Sequence, residues 1–213
     1  MSKPIVATFL VLFSACAIAQ TPEDRLFAAI EDNKPLVAEG IVVRGQVKLD
    51  ALNAQKETPL HRAIEKGYVH LAVMLVEKGA PLDARTGNGE TPLHFAALYS
   101  ETHFVDLLLM RKADARARNN DGESVLQWAV MAGNPATTRQ LLQGGADAKS
   151  VDLKGNTMLH AAADGGYVEM VNAFLSLGVD PRQRNKAGQR PIQVARERGY
   201  PDIVKLLERF ERE

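Results

Sequence analysis

The side chains best suited to chemistry are the five histidines. Three of them recur with the same neighbours, as Thr58-Pro59-Leu60-His61, Thr91-Pro92-Leu93-His94 and Thr157-Met158-Leu159-His160. An imidazole titrates near neutral pH and ligates metals, so a repeated histidine raises acid–base or metal chemistry first. His70 and His103 form a second register, and two imidazoles on one face would begin a metal site. The positions that continue it are Ala136, Glu169 and Asp202, however, and the alanine interrupts a ladder that needs further convergent ligands. Beyond the leader the serines are Ser100, Ser124, Ser150 and Ser176, none inside G-x-S-x-G. There is no G-x-x-x-x-G-K-[ST], H-E-x-x-H or G-x-G-x-x-G. The carboxylates fall on turn tips and helix faces with no pair placed for proton transfer. The chain therefore reads as non-enzymatic, with no catalytic residues, no metal site and no cofactor; an enzyme with an unrecognised site is the remaining alternative.

Charge and composition narrow the partners. The 213 residues carry 26 Lys+Arg against 26 Asp+Glu, without the basic excess on which phosphate-tracking nucleic-acid binders rest. With 46% hydrophobic and 24% charged residues the chain can bury a core, which excludes wholesale disorder. The single cysteine, Cys16, builds neither an intramolecular disulfide nor a zinc site. Met1-Ser2-Lys3 is a short positive start, Ile5 to Phe13 an apolar run, and Ala17-Ile18-Ala19 a small-x-small site before the polar Thr21-Pro22-Glu23-Asp24. This predicts a signal peptide over residues 1–19, cleaved after Ala19, and a periplasmic or secreted chain. The apolar run is shorter than the roughly 20 residues that span a bilayer, so no membrane span is expected. Phe13-Ser14-Ala15-Cys16 offers an alternative, a degenerate lipobox whose lipidated Cys16 would anchor the chain. Removing the leader removes the only cysteine, which suits an oxidising compartment.

The elements that must position these residues follow from a period. The Thr58-Pro59-Leu60-His61 motif recurs from positions 91, 124, 157 and 190, an unbroken spacing of 33 residues, with Ser124-Val125-Leu126-Gln127 and Arg190-Pro191-Ile192-Gln193 as the divergent copies. Alanine follows at 63, 96, 129, 162 and 195, and glycine at 67, 133, 166 and 199, with Ser100 as the exception. A second step closes the unit at Gly79-Ala80, Gly145-Ala146 and Gly178-Val179, with Lys112-Ala113 as the variant. Thr-Pro starts a helix, because threonine caps and proline at the first position has no N–H to lose. Glycine then ends it. A second apolar-periodic segment, such as Val69 to Val76 or Phe104 to Leu109, makes the partner helix, and polar tips such as Asn119-Asn120-Asp121-Gly122 and Asp152-Leu153-Lys154-Gly155 make turns. Leu75, Leu108, Leu141, Phe174 and Leu207 form one expected core ladder, and Leu60, Leu93, Leu126, Leu159 and Ile192 another. A shift of 34 aligns Leu26, Ala29, Ile30 and Gly45 with Leu60, Ala63, Ile64 and Gly79, which predicts a diverged first helix pair containing Pro35 and six pairs in all. Glu208 replaces the apolar Val76, Leu109, Leu142 and Leu175, as a last unit without a neighbour requires, and 208–213 reads as a solvated cap.

These motifs resemble the ankyrin-repeat family over nearly the whole chain after the leader. The resemblance implies an all-α solenoid of stacked helix-turn-helix units with β-hairpin-like loops. The array then covers residues 20–213: a diverged repeat at 22–52, repeats at about 53–85, 86–118, 119–151 and 152–184, and a capping repeat at 185–213. It implies that His61, His94 and His160 tie neighbouring turns together rather than catalyse. It also implies protein binding through a concave face made of loop tips and the exposed side of each first helix. The tip positions are Arg85, Asn88 and Glu90, then Arg118, Asp121 and Glu123, then Lys154 and Asn156. The first-helix positions are Glu65 and Lys66, Leu98 and Tyr99, Met131 and Ala132, Asp164 and Gly165, Glu197 and Arg198. Only the two central repeats are apolar there, so Leu98, Tyr99, Trp128 and Met131, with Phe95 beside them, make an expected apolar centre inside a polar rim. Phe95 and Trp128 have an equal claim to packing against the next repeat. Arg85, Arg116, Arg118, Lys149, Arg182, Arg184 and Lys186 form a basic row that reads as solvated loop residues. The expected function is a monomeric, exported interaction scaffold, an accessory or immunity protein for an enzyme by analogy, with a host-directed secreted effector as the alternative.

Overall fold

The structure, a computed structural model, describes residues 21–99 and 102–210. The cleavage site after Ala19, the lipobox cysteine Cys16, Ser100 and residues 211–213 lie outside the described residues. Among the described residues twelve α-helices form six successive pairs: α1 (Pro22–Glu31) with α2 (Pro35–Val43), α3 (Pro59–Glu65) with α4 (Val69–Glu77), α5 (Pro92–Leu98) with α6 (Thr102–Met110), α7 (Val125–Met131) with α8 (Pro135–Gln143), α9 (Met158–Gly165) with α10 (Val168–Ser176), and α11 (Pro191–Arg198) with α12 (Pro201–Leu207). A single turn of 3₁₀ helix, Glu208–Phe210, follows. From α3 onward the first helices begin 33 residues apart, whereas α1 begins 37 residues before α3. Among the described residues there is no strand, so the expected hairpin-like loops are tight turns with one isolated antiparallel bridge, Arg118 to Ser124.

Local chemistry sets the helix ends. At Thr58, Thr91 and Thr157 the threonine and the histidine three residues on cap one another, and at α7 Ser124 Oγ accepts the Gln127 N–H at 3.2 Å. Gly67, Gly133, Gly166 and Gly199 end the first helices with φ between 71° and 78°, a conformation that costs a side chain about 1 kcal/mol or more. Gly133 and Gly166 also receive the next repeat's tyrosine: a Cβ on either would lie 2.6 Å from the ring of Tyr167 or Tyr200. Lys112, the residue in the second glycine's place, takes the same left-handed conformation at φ 68°.

Both expected ladders are buried along their whole length. Each leucine withdrawn from water contributes about 2 kcal/mol, so the repeats stabilise one another through shared surface that a lone helix pair lacks. Ala63, Ala96, Ala129, Ala162 and Ala195 are all fully buried, and their small side chains let successive first helices approach closely. The second helices pack less closely than the first at most steps, α8 against α10 least, and the exposed ends of the first helices with the loop tips make up the inner face. The divergent first pair is joined to α3 by Arg62, which donates to both carboxylate oxygens of Glu31 at 2.8 and 2.9 Å and also contacts Glu65.

The loop tips carry a ladder of their own. Backbone N–H to C=O bonds close 53 to 57, 86 to 90, 119 to 123, 152 to 156 and 185 to 189 at 2.9–3.1 Å. The side chain opening each turn (Asn53, Thr86, Asn119, Asp152 or Asn185) accepts the N–H of the residue closing it. One backbone bond then joins each tip to the next: Gly87 to Gln55, Asn120 to Asn88, Leu153 to Asp121 and Lys186 to Lys154.

Candidate functional site

The repeated histidines belong to this framework. The backbone N–H of Thr58, Thr91 and Thr157 donates to Nδ1 of His61, His94 and His160 at 3.1 Å, so Nδ1 must be an acceptor and the ring proton resides on Nε2. Nε2 then donates to the carbonyl of the next tip, Glu90, Glu123 or Gln189, at 3.3, 3.4 and 2.9 Å. A second proton on Nδ1 would oppose the threonine N–H. Burial pushes His61 and His94 down to about 4, and it lowers His160 as well. These rings are neutral struts between repeats. His70 Nδ1 lies 3.1 Å from Glu39 on the outer side, His103 packs edge-on against Phe104, and among the described residues no three His, Cys, Asp or Glu side chains converge as metal ligands.

The basic row is solvent-exposed, as its reading as solvated loop residues expects, and five of its seven side chains also bond loop carbonyls. Arg85 Nη1 donates to the carbonyls of Gly89 and Arg118 at 2.9 and 2.6 Å. Arg118 repeats the pattern one unit on, to Gly122 at 3.0 Å and to Val151. Arg116 bonds the Gly145 carbonyl at 2.9 Å, Arg182 that of Phe210 at 2.6 Å, and Arg184 that of Gly188. In Arg85 and Arg118 the two N–H groups of Nη1 are shared between a carbonyl of the same loop and one of the next.

The first-helix register divides as the residue types suggest. Leu98, Tyr99 and Met131 are 39, 42 and 50% exposed, high values for large apolar side chains on a face whose neighbours are packed. Burial beside Glu65 pushes the Tyr99 phenol up. Phe95 is only 8% exposed and sits edge-on to His61 at 5.2 Å, so it belongs to the core and does not extend the patch. Trp128 is half-buried: its ring packs edge-on to His94 at 5.3 Å and its Nε1 donates to Glu123 Oε2 at 2.9 Å, leaving part of the indole at the surface. Of the tip residues, Asn88, Asp121 and Lys154 are exposed while lending their carbonyls to the next tip. Glu90, Glu123 and Asn156 are half-buried and bonded within their own turns.

Beside Met131 the inner face deepens into a groove of about 650 Å³ between α7, α9, α11 and the tips around Asp152 and Gln189. Met131, Ala161 and Val194 supply its apolar surface, and Glu123, Asp152, Asp164 and Glu197 supply four carboxylates against the two cations Lys154 and Arg198. At its base lies a contact that the sequence reading missed. Gln127 occupies the histidine position of its repeat and donates Nε2 to Asp152 Oδ2 at 3.0 Å; the two side chains are 3 and 6% exposed. The signal was the departure itself, a glutamine in the histidine position facing a carboxylate where the other turns have Asn or Thr.

No helix among the described residues is long and apolar enough to cross a membrane. No curated protein matches the chain. A family model described as ankyrin repeats (3 copies) matches residues 26–119, 101–185 and 126–211, which together take in every helix from α2 to α12. With the 33-residue period, the capping boxes and the histidine struts already in place, the chain belongs to the ankyrin-repeat family.

Proposed function

We propose that the chain is a non-catalytic binding module whose inner face, from Leu98 and Tyr99 through Met131 into the adjoining groove, holds one partner protein. Ankyrin repeats are a protein–protein interaction module, and the proposal concerns where the partner sits. The observation that carries it is the exposure of Leu98 and Met131 on a register that is charged in the other repeats, at Glu65, Asp164 and Glu197, with Tyr99 exposed beside Leu98. Nothing in the framework accounts for apolar groups there, because both ladders are satisfied without them. Exposed aromatic and methionine side chains inside a polar rim have the layout of interface anchors.

The short positive start, the apolar run and the Ala-Ile-Ala step of residues 1–19 support a module exported to a bacterial periplasm, where it acts as a monomeric accessory or immunity partner of an enzyme. A secreted effector or a lipid-anchored scaffold differs from it in location alone. Fractionation of the producing cell separates the three: the soluble periplasm for the first, the medium for the second, the membrane pellet for the third. Affinity capture with the wild type and with Tyr99→Ala/Met131→Asp tests the surface. The partner should be retained by the first and lost by the second at an unchanged melting temperature; equal retention by both removes the inner face as the interface.

A further inference from the structure

Gln127 stands in the histidine position with incomplete hydrogen bonding. The three histidines satisfy both ring nitrogens, and Gln193 Oε1 accepts the Arg190 N–H at 2.8 Å. Gln127 Nε2 is committed to Asp152, and the reverse orientation would set the amide oxygen against a carboxylate, so Oε1 is left as a buried acceptor without a partner. Such an acceptor costs about 1–3 kcal/mol until a donor reaches it. Gln127 lines a groove where carboxylates outnumber cations two to one and where Arg198 is already bound to Asp164 at 2.6 Å.

We infer that this groove receives a single arginine side chain of the partner protein. The assignment rests on the inner face being the interface, and it names what that face recognises at one end. Acceptors lie on two walls, Glu123, Gln127 and Asp152 on one and Gln189 and Glu197 on the other. A planar guanidinium with five N–H donors can address both at once, whereas an ammonium presents a single point. The apolar lining of Met131, Ala161 and Val194 suits the methylene stem. Met131 belongs to the exposed patch and also lines the groove, so a chain lying across Leu98 and Tyr99 reaches the groove without a gap. That continuity favours a side chain of the partner over a free cation.

The test uses the full chain and N-acetyl-arginine N-methylamide as probe, with the lysine and citrulline analogues as controls, followed by two-dimensional NMR at low salt. The arginine probe should give saturable shifts centred on the Gln127 side-chain amide and the backbone amides of Asp152, Asn156 and Gln189. The lysine analogue should bind at least fivefold more weakly and the uncharged citrulline analogue should not saturate. Glu197→Arg, an exposed substitution, should abolish the response at an unchanged melting temperature. Citrulline binding as tight as arginine, or arginine binding that survives Glu197→Arg, overturns the inference. Once a partner has been captured, its loss with Tyr99→Ala/Met131→Asp and full retention with Glu197→Arg would overturn the arginine site while leaving the inner-face interface standing. Loss with all of these variants supports both.

Discussion

The central and the C-terminal repeats share one framework and present different surfaces. In α5 and α7 the exposed end of the first helix carries Leu98, Tyr99 and Met131; in α9 and α11 the same register carries Asp164, Gly165, Glu197 and Arg198. Beneath both, leucine or isoleucine, alanine and the capping residues continue without a break. The two regions therefore share one buried framework and differ in exposed side chains that the ladders do not need. Under the proposed function, the position that varies while its backbone environment stays constant is where the partner is recognised.

The largest effect should separate framework from surface on a single helix. Leu126→Ala empties a fully buried ladder position of α7 and should cost about 2–5 kcal/mol in urea unfolding, whereas Met131→Ala, five residues along the same helix, should stay within about 0.5 kcal/mol. A large loss at Met131 would place it in the framework and dissolve the contrast.

Acid should attack the histidine struts next. Because burial holds His61 and His94 at about 4 in the folded chain against 6.5 when free, the unfolded chain binds more protons across that window. Their contribution is complete above pH 6.5 and is lost as pH falls toward 4, by about 3 kcal/mol for each histidine. Urea unfolding at pH 7, 5.5 and 4.5 should show that decline, and a flat profile would mean that the rings are not neutral struts.

Smaller effects probe the glycine positions. Gly133→Ala meets both a left-handed backbone and the Tyr167 ring, and should cost about 1–3 kcal/mol in thermal unfolding. Lys112→Gly places glycine where its left-handed conformation carries no strain, and should raise stability by about 1 kcal/mol. No gain there would show that the lysine side chain contributes contacts that offset its backbone strain.

What could be read from the sequence was whatever recurs at fixed spacing. The leucine ladders, the alanines, the Thr-Pro starts, the glycine stops and the helix pair around Pro35 all follow from period and capping chemistry, and the helices fall where these signals place them. Bonds made between repeats by long side chains were not legible, because reach and direction are not properties of a linear pattern. Arg85 and Arg118 are the solvated residues their positions suggest, yet each also bonds two loop carbonyls, one of them in the next repeat. Phe95 and Trp128 occupy equivalent positions and yet part company, one in the core and the other half at the surface, held there by Glu123. The Gln127–Asp152 pair needs two departures, one repeat apart, to be taken together.

The most direct test of the central claim is the affinity of a captured partner for Tyr99→Ala/Met131→Asp, measured by calorimetry beside a melting curve. The account predicts at least tenfold weaker binding with the melting temperature held; affinity equal to that of the wild type would contradict it.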